Sequence, residues 1–118
     1  MYLARAFNSN SYNYRFSVPP GIHALDLLFT FYPLTLTLGA QELNIPFPLL
    51  YAKGLQSYFV SFVKHGDPNV ERGLGTIAWD KFGGGKSSVD IPLSGFKKVM
   101  DDELPEDRCS FWQGAPYE

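Results

Sequence analysis

Along residues 11–18, SYNYRFSV, apolar and polar positions alternate: Tyr12, Tyr14, Phe16 and Val18 fall on one side, and Asn13, Arg15 and Ser17 on the other. A period of two predicts a β-strand with one apolar face. Pro19, Pro20 and Gly21 end it, because proline has no N–H to give to a ladder. A short helix is predicted over 23–32, closed by Pro33. With His23 as its N-cap, Asp26 takes the third helical position, where a carboxylate can accept from exposed amides. The strongest pattern lies in PLLYAKGLQSYFVSFVKHG, residues 48–66. There Leu55, Tyr58, Phe59, Phe62 and Val63 recur at i, i+3, i+4, i+7 and i+8, with Lys53, Gln56, Ser57 and Lys64 opposite. This is an amphipathic helix, started near Pro48 and stopped by Gly66 in a left-handed cap. Asp67, Pro68 and Asn69 then make a turn.

The rest of the pattern is weaker. Residues 1–7 read as the end of a helix, 34–39 alternate too briefly to fix a strand, and 44–48 form a loop with two prolines. TIAWDKF (76–82) and SSVDIPL (87–93) read as short extended segments around the FGGGKSS loop. A last short helix is expected from 105 or 106 to 113. One strand and one long helix do not close a two-layer domain. The aromatic faces Tyr12/Tyr14/Phe16 and Tyr58/Phe59/Phe62 need partner surfaces. The sequence reads as a piece of something larger.

Composition narrows the function classes. A chain of 118 residues holds one small domain, and 45% hydrophobic with 16% aromatic residues is the make-up of a packed chain. The net charge is −2 and Lys97-Lys98 is the lone adjacent basic pair, so no electrostatic grip on nucleic acid or an anionic membrane is expected. The N-terminus lacks the pattern of a signal peptide, and the apolar stretch 27–40 is too short, and broken by Pro33, to span a bilayer. Cys109 is the single cysteine: either a reduced thiol or half of a bond to something outside these residues. His23 and His65 lie in no HxxxH or HExxH spacing, so neither a metal nor a cofactor is expected.

Candidate chemistry is sparse. GGGKSS (83–88) lacks the first glycine of a phosphate loop, since Asp80 stands in its place, and it reads as a turn. No G-x-S-x-G nucleophile elbow occurs. His65 and Asp67 are read as helix-end and turn residues, and Trp79 and Trp112 as packing residues. His23 keeps two readings, a helix cap or a catalytic base.

The order of the pieces decides between them. YNYRFSV, GIHALDLLFTF, a long helix ending FVKHGDPN, then WDKF and a terminal RCSFWQ closely resemble the C-terminal end of the type-B carboxylesterase/lipase family, in its fungal form. The resemblance runs from about Tyr12 to Trp112. It implies that residues 1–118 are a partial domain, the C-terminal fragment of an α/β-hydrolase fold: a late sheet strand, the catalytic-histidine loop, a long amphipathic helix and an irregular end. It implies that His23 is the triad histidine, in the context His23-Ala24-Leu25-Asp26, with alanine where glycine is commoner. Asp26 matches a structural acid and not the triad acid, and Cys109 matches one half of a disulfide whose other half precedes Met1. The family's partner is an ester substrate, and its members are typically secreted. Because the triad runs Ser, acid, His along such chains, a late segment holds the histidine without its partners. The expectation is a part inactive by itself. The alternatives are one half of a split esterase completed by an N-terminal chain, and a non-catalytic interaction module of cholinesterase-like fold.

Overall fold

The alternation around Tyr14 forms strand β1 (Asn13–Phe16), in a computed structural model that describes residues 7, 10–32, 49–83, 85–100, 111 and 114. β1 pairs in parallel with β2 (Ser87–Ile91), Asn13 lying opposite Ser88 and Phe16 opposite Ile91. β2 pairs antiparallel with β3 (Lys97–Met100), giving a mixed sheet in the order β1-β2-β3. A parallel pair needs a long crossover. Here that crossover carries helices α1 (Asp26–Thr30) and α2 (Leu49–His65). The elements expected within 34–39 and 44–48 lie outside the described residues, as do most of those expected within 1–7 and 106–113.

The extended reading of 87–93 becomes β2, the central strand, with Ser88, Val89, Asp90 and Ile91 all buried. Residues 76–82 are extended but join no sheet. β3 was not expected from the pattern. It is an edge strand of largely exposed residues, Lys97, Lys98 and Met100 among them, and such strands lack an apolar face to announce them. Lys98 Nζ reaches Asp80 Oδ2 at 2.6 Å, tying the edge to the 76–82 segment.

Helix α2 has the expected extent. Gly66, at φ +68°, closes it with an N–H donated to Phe62 O at 2.7 Å. Its buried face is rotated from the expected one: Ala52, Gly54, Leu55, Tyr58 and Ser61 are buried, whereas Val63 is 84% exposed and Phe62 about half exposed. Two small residues explain the rotation. Ser61 Oγ donates to Asp67 O at 2.7 Å and accepts from Glu71 N–H at 3.0 Å, so the 67–71 turn folds over it. Gly54 leaves room for the Phe96 ring, whose carbons would stand 2.7 Å from an added Cβ. Gln56 and Ser57, expected on the solvent side, are engaged as well. The two protons of Gln56 Nε2 are shared among Phe29 O, Thr30 O and Tyr32 O at 3.4, 3.1 and 2.7 Å, satisfying the open carboxyl end of α1. Ser57 Oγ accepts from Gly73 N–H at 2.7 Å.

Trp79 sits at the centre of the packing. The rings of Tyr12, Tyr14 and Tyr58 meet it edge-on at 6.2, 5.9 and 5.0 Å. Its indole N–H donates to Asn13 O at 3.0 Å. Asn69 holds its backbone from the other side, Nδ2 donating to Trp79 O at 2.9 Å and Oδ1 accepting from Trp79 N–H at 2.7 Å. Asn69 is itself set by Asp67, whose Oδ1 accepts from Asn69 N–H and Nδ2, both at 2.8 Å. Those two bonds hold the Asp67 carboxyl below its ordinary pKa. The Asp67-Pro68-Asn69 turn and Trp79 thus have the structural roles expected of them.

On the other side of β1, Arg15 Nε and Nη2 reach the buried Asp90 at 3.2 and 3.3 Å, and Ser17 Oγ reaches it at 2.5 Å. Burial pushes this carboxyl up, but the hydrogen bonds from Arg15 and Ser17 outweigh it and hold its pKa below the ordinary 3.8.

Two outcomes follow for stability. Gly54→Ala gains about 1 kcal/mol of helix propensity but overpacks against Phe96 at a cost of about 1–3 kcal/mol. The Phe96 ring is flanked by Tyr51 and Tyr58, so the net effect should be a lower urea midpoint, read by tryptophan fluorescence. For Asp90, ionisation stabilises the fold above the unfolded-state pKa and this contribution is lost as pH falls through the lower folded-state value. Asp90→Asn should therefore lower the midpoint at pH 7, with the gap to the wild type narrowing at pH 3. An equal gap at both pH values would exclude the ionised carboxylate as its source.

Candidate active site

Beyond Phe16 the chain stays on the sheet for one more bond, Ser17 N–H to Ile91 O at 3.1 Å, and buries Val18 completely. It leaves through Pro19 and Pro20, joined by a cis peptide, and Gly21, at φ +69°, turns its N–H back to Val18 O at 3.0 Å. Residues 22–25 form a second turn, closed by Leu25 N–H to Ile22 O at 3.2 Å. Within it Ala24 takes φ +66°, a left-handed conformation that favours glycine. Leu25 is buried and anchors the turn to the core.

His23 stands exposed in this turn, between Ile22 and Ala24. Its ring makes no hydrogen bond to any described residue. The expected helix start is corrected: the N-cap position is Leu25, with no side-chain cap, and Asp26 is the first helical residue. The left-handed Ala24 is the reason, since it breaks the helical run and uses residues 23–25 as a turn. His23 is therefore no cap.

Asp26 is engaged elsewhere. Tyr14 Oη donates to Asp26 Oδ2 at 2.6 Å. Burial first, then the hydrogen bond and charge of Asp26, push the Tyr14 hydroxyl up to about 12. Spacing along the sequence could not have paired these residues, because only the path of the turn brings them together. Ile22, Leu27 and Phe31, each about half exposed, put apolar surface on the same stretch of chain as His23.

The other histidine belongs to the end of α2. His65 Nε2 lies 2.9 Å from Glu71 Oε1, and Lys64 Nζ donates to Glu71 Oε2 at 2.7 Å. The hydrogen bonds of both residues, Lys64 first, hold the Glu71 carboxyl below its ordinary pKa. This is the helix-end role expected of His65. Cys109 and Trp112 lie outside the described residues.

A cavity of about 370 Å³ opens among Phe7, Ser11, Tyr12, Phe59, Phe62 and Trp79. It gathers around the residues that precede β1, and none of residues 19–31 lines it. It does not adjoin the turn that carries His23. The buried Ser11 Oγ at its wall has no hydrogen-bond partner among the described residues.

No protein-family model matches the chain. A secreted lipase of Arthroderma benhamiae is 29% identical over 120 residues, a match that covers 94% of this chain and 22% of the lipase. The crystal structure of Aspergillus niger EstA matches with a TM-score of 0.65 at 22% identity, covering 93% of this chain and 23% of that one. The chain spans between a fifth and a quarter of the length of these relatives. The small mixed sheet, α1 and α2 of the described residues have the fold of a part of EstA. Together the two matches support the resemblance to the C-terminal portion of the fungal carboxylesterase and lipase family.

Proposed function

We propose that the chain is the C-terminal part of a carboxylic-ester hydrolase of the type-B carboxylesterase/lipase kind, with His23 as its general base. The observation that carries this reading is the place of His23, exposed in the turn that follows the carboxyl end of β1, a strand paired in parallel with β2. In α/β sheets, ligands bind outside the carboxyl ends of the strands. A ring held there by short-range backbone bonds, and not consumed as a helix cap, is free to meet a nucleophile from another segment.

In the complete enzyme a serine hydroxyl attacks the ester carbonyl as His23 takes its proton. The acyl-enzyme forms as His23 returns that proton to the departing alcohol, and water repeats the sequence to release the acid. A carboxylate fixes the tautomer of the ring, and backbone amides stabilise the oxyanion. Serine, triad acid and oxyanion amides come from the remainder of the enzyme. Asp26, occupied by Tyr14, is not the triad acid.

The test is a graft of residues 1–118 in place of the matching end of an active relative, assayed with a short-chain p-nitrophenyl ester. The graft should hydrolyse the ester. His23→Ala should reduce turnover by roughly 10³-fold or more, since triad members act as a unit, and His65→Ala should leave it unchanged. The 118-residue chain by itself should hydrolyse no faster than free imidazole. A graft that tolerates His23→Ala but not His65→Ala would assign the wrong histidine, and a folded graft with no activity would favour the interaction module. Ala24→Gly, relieving the left-handed strain at φ +66°, should leave the rate intact and raise stability by about 1 kcal/mol.

A further inference from the structure

We propose that Tyr14 is a positioning residue for His23, acting through Asp26; the role rests on His23 being the general base. Asp26 lies three positions after His23 and is the first residue of α1. That helix is five residues long and has no side-chain bond at its N-cap, so it has little means of fixing its own beginning. The Tyr14–Asp26 hydrogen bond supplies a fixed point from the sheet, 2.6 Å across and spanning 12 residues of chain. Its donor is rigid, because the Tyr14 ring meets Trp79 at 5.9 Å and Phe59 at 6.0 Å, edge-on in both cases. A hydrogen bond to an ionised acceptor is among the stronger kinds in a protein. The hydroxyl, pushed up to about 12, stays a donor throughout the range in which esters are assayed.

The far end of the turn is thereby held by two adjacent contacts. Leu25 is buried in the core, and Asp26 beside it is bonded to β1. What remains between Gly21 and Leu25 is closed by short backbone bonds, with His23 at its exposed position. Loss of the tether leaves the imidazole chemically unchanged but free to wander. A base misplaced by about 1 Å can lose about a hundredfold in rate.

Two measurements test the role. In the 118-residue chain, Tyr14→Phe keeps the ring packing and removes only the donor. Amide exchange at Leu25, Leu27 and Leu28, whose N–H groups close the turn and the start of α1, should quicken roughly tenfold, while amides of α2 keep their rates. In the active graft, Tyr14→Phe should lower kcat about tenfold to a hundredfold with KM unchanged. Asp26→Leu should reproduce that loss, Asp26→Asn should retain most of the rate because its amide oxygen still accepts, and Tyr14→Phe combined with Asp26→Leu should be no worse than either. Unchanged exchange at the three amides overturns the tether. A graft disabled by His23→Ala yet indifferent to Tyr14→Phe overturns the positioning role and leaves the general base standing. A graft indifferent to His23→Ala removes the general base and the positioning role with it.

Discussion

The clamp on Trp79 is the constraint from which the other contacts take their positions. Residues 76–82 are extended without a strand partner, so their backbone polar groups must be satisfied by other means. Main-chain bonds serve its ends, Thr76 N–H to Gly73 O at 3.4 Å and Phe82 N–H to Ser11 O at 2.8 Å, and side chains serve its middle. Asn69 takes both backbone groups of Trp79, and Tyr58 Oη both donates to Ile77 O at 2.6 Å and accepts from Ile77 N–H at 3.0 Å. The indole then bonds Asn13 on β1. An irregular segment thus serves as the layer joining α2 to the sheet. The bonds at Trp79 fix the indole on which the three tyrosine rings pack.

Elements with a period and a stop were legible in the sequence; those defined by an absence were not. The alternation of Tyr12, Tyr14 and Phe16 and the Gly66 cap gave away β1 and α2, and Asp67-Pro68-Asn69 its turn. The rotated face of α2 was hidden because Gly54 and Ser61 carry no apolar signal: one is buried for its missing side chain, the other for its hydroxyl partners. β3 was hidden because an edge strand of lysines looks like loop. The start of α1 was misplaced because nothing in alanine's chemistry marks it for a left-handed conformation. Of the candidate site, the sequence offered His23 and its order relative to other segments. Tyr14 emerged only when the turn returned Asp26 to the strand.

The segments on either side of β1 carry two kinds of surface. Around residues 10–12 aromatic rings line a cavity whose wall includes the Ser11 hydroxyl, without a hydrogen-bond partner among the described residues. Around 22–31 Ile22, Leu27 and Phe31 stand half exposed on the same turn and helix as His23. Apolar residues placed on consecutive turns of one short segment are more than the scattered exposure common on soluble domains. The chain spans under a quarter of the length of the two relatives, and on the proposed reading the remainder of the enzyme would cover such a face.

The register of the parallel pair carries a consequence of its own. With Asn13 opposite Ser88 and Phe16 opposite Ile91, Tyr14 faces the helices and Arg15 faces Asp90. A slip of one residue would exchange these faces. The tyrosine would lose Asp26 and the indole, the guanidinium would enter an aromatic layer, and Asp90 would be left without its cation. Misalignment by a single rung is thus penalised on both sides of the sheet at once. The same choice of rung decides whether the turn beyond the strand is anchored, so correct strand alignment and the seating of the His23 turn are a single folding decision.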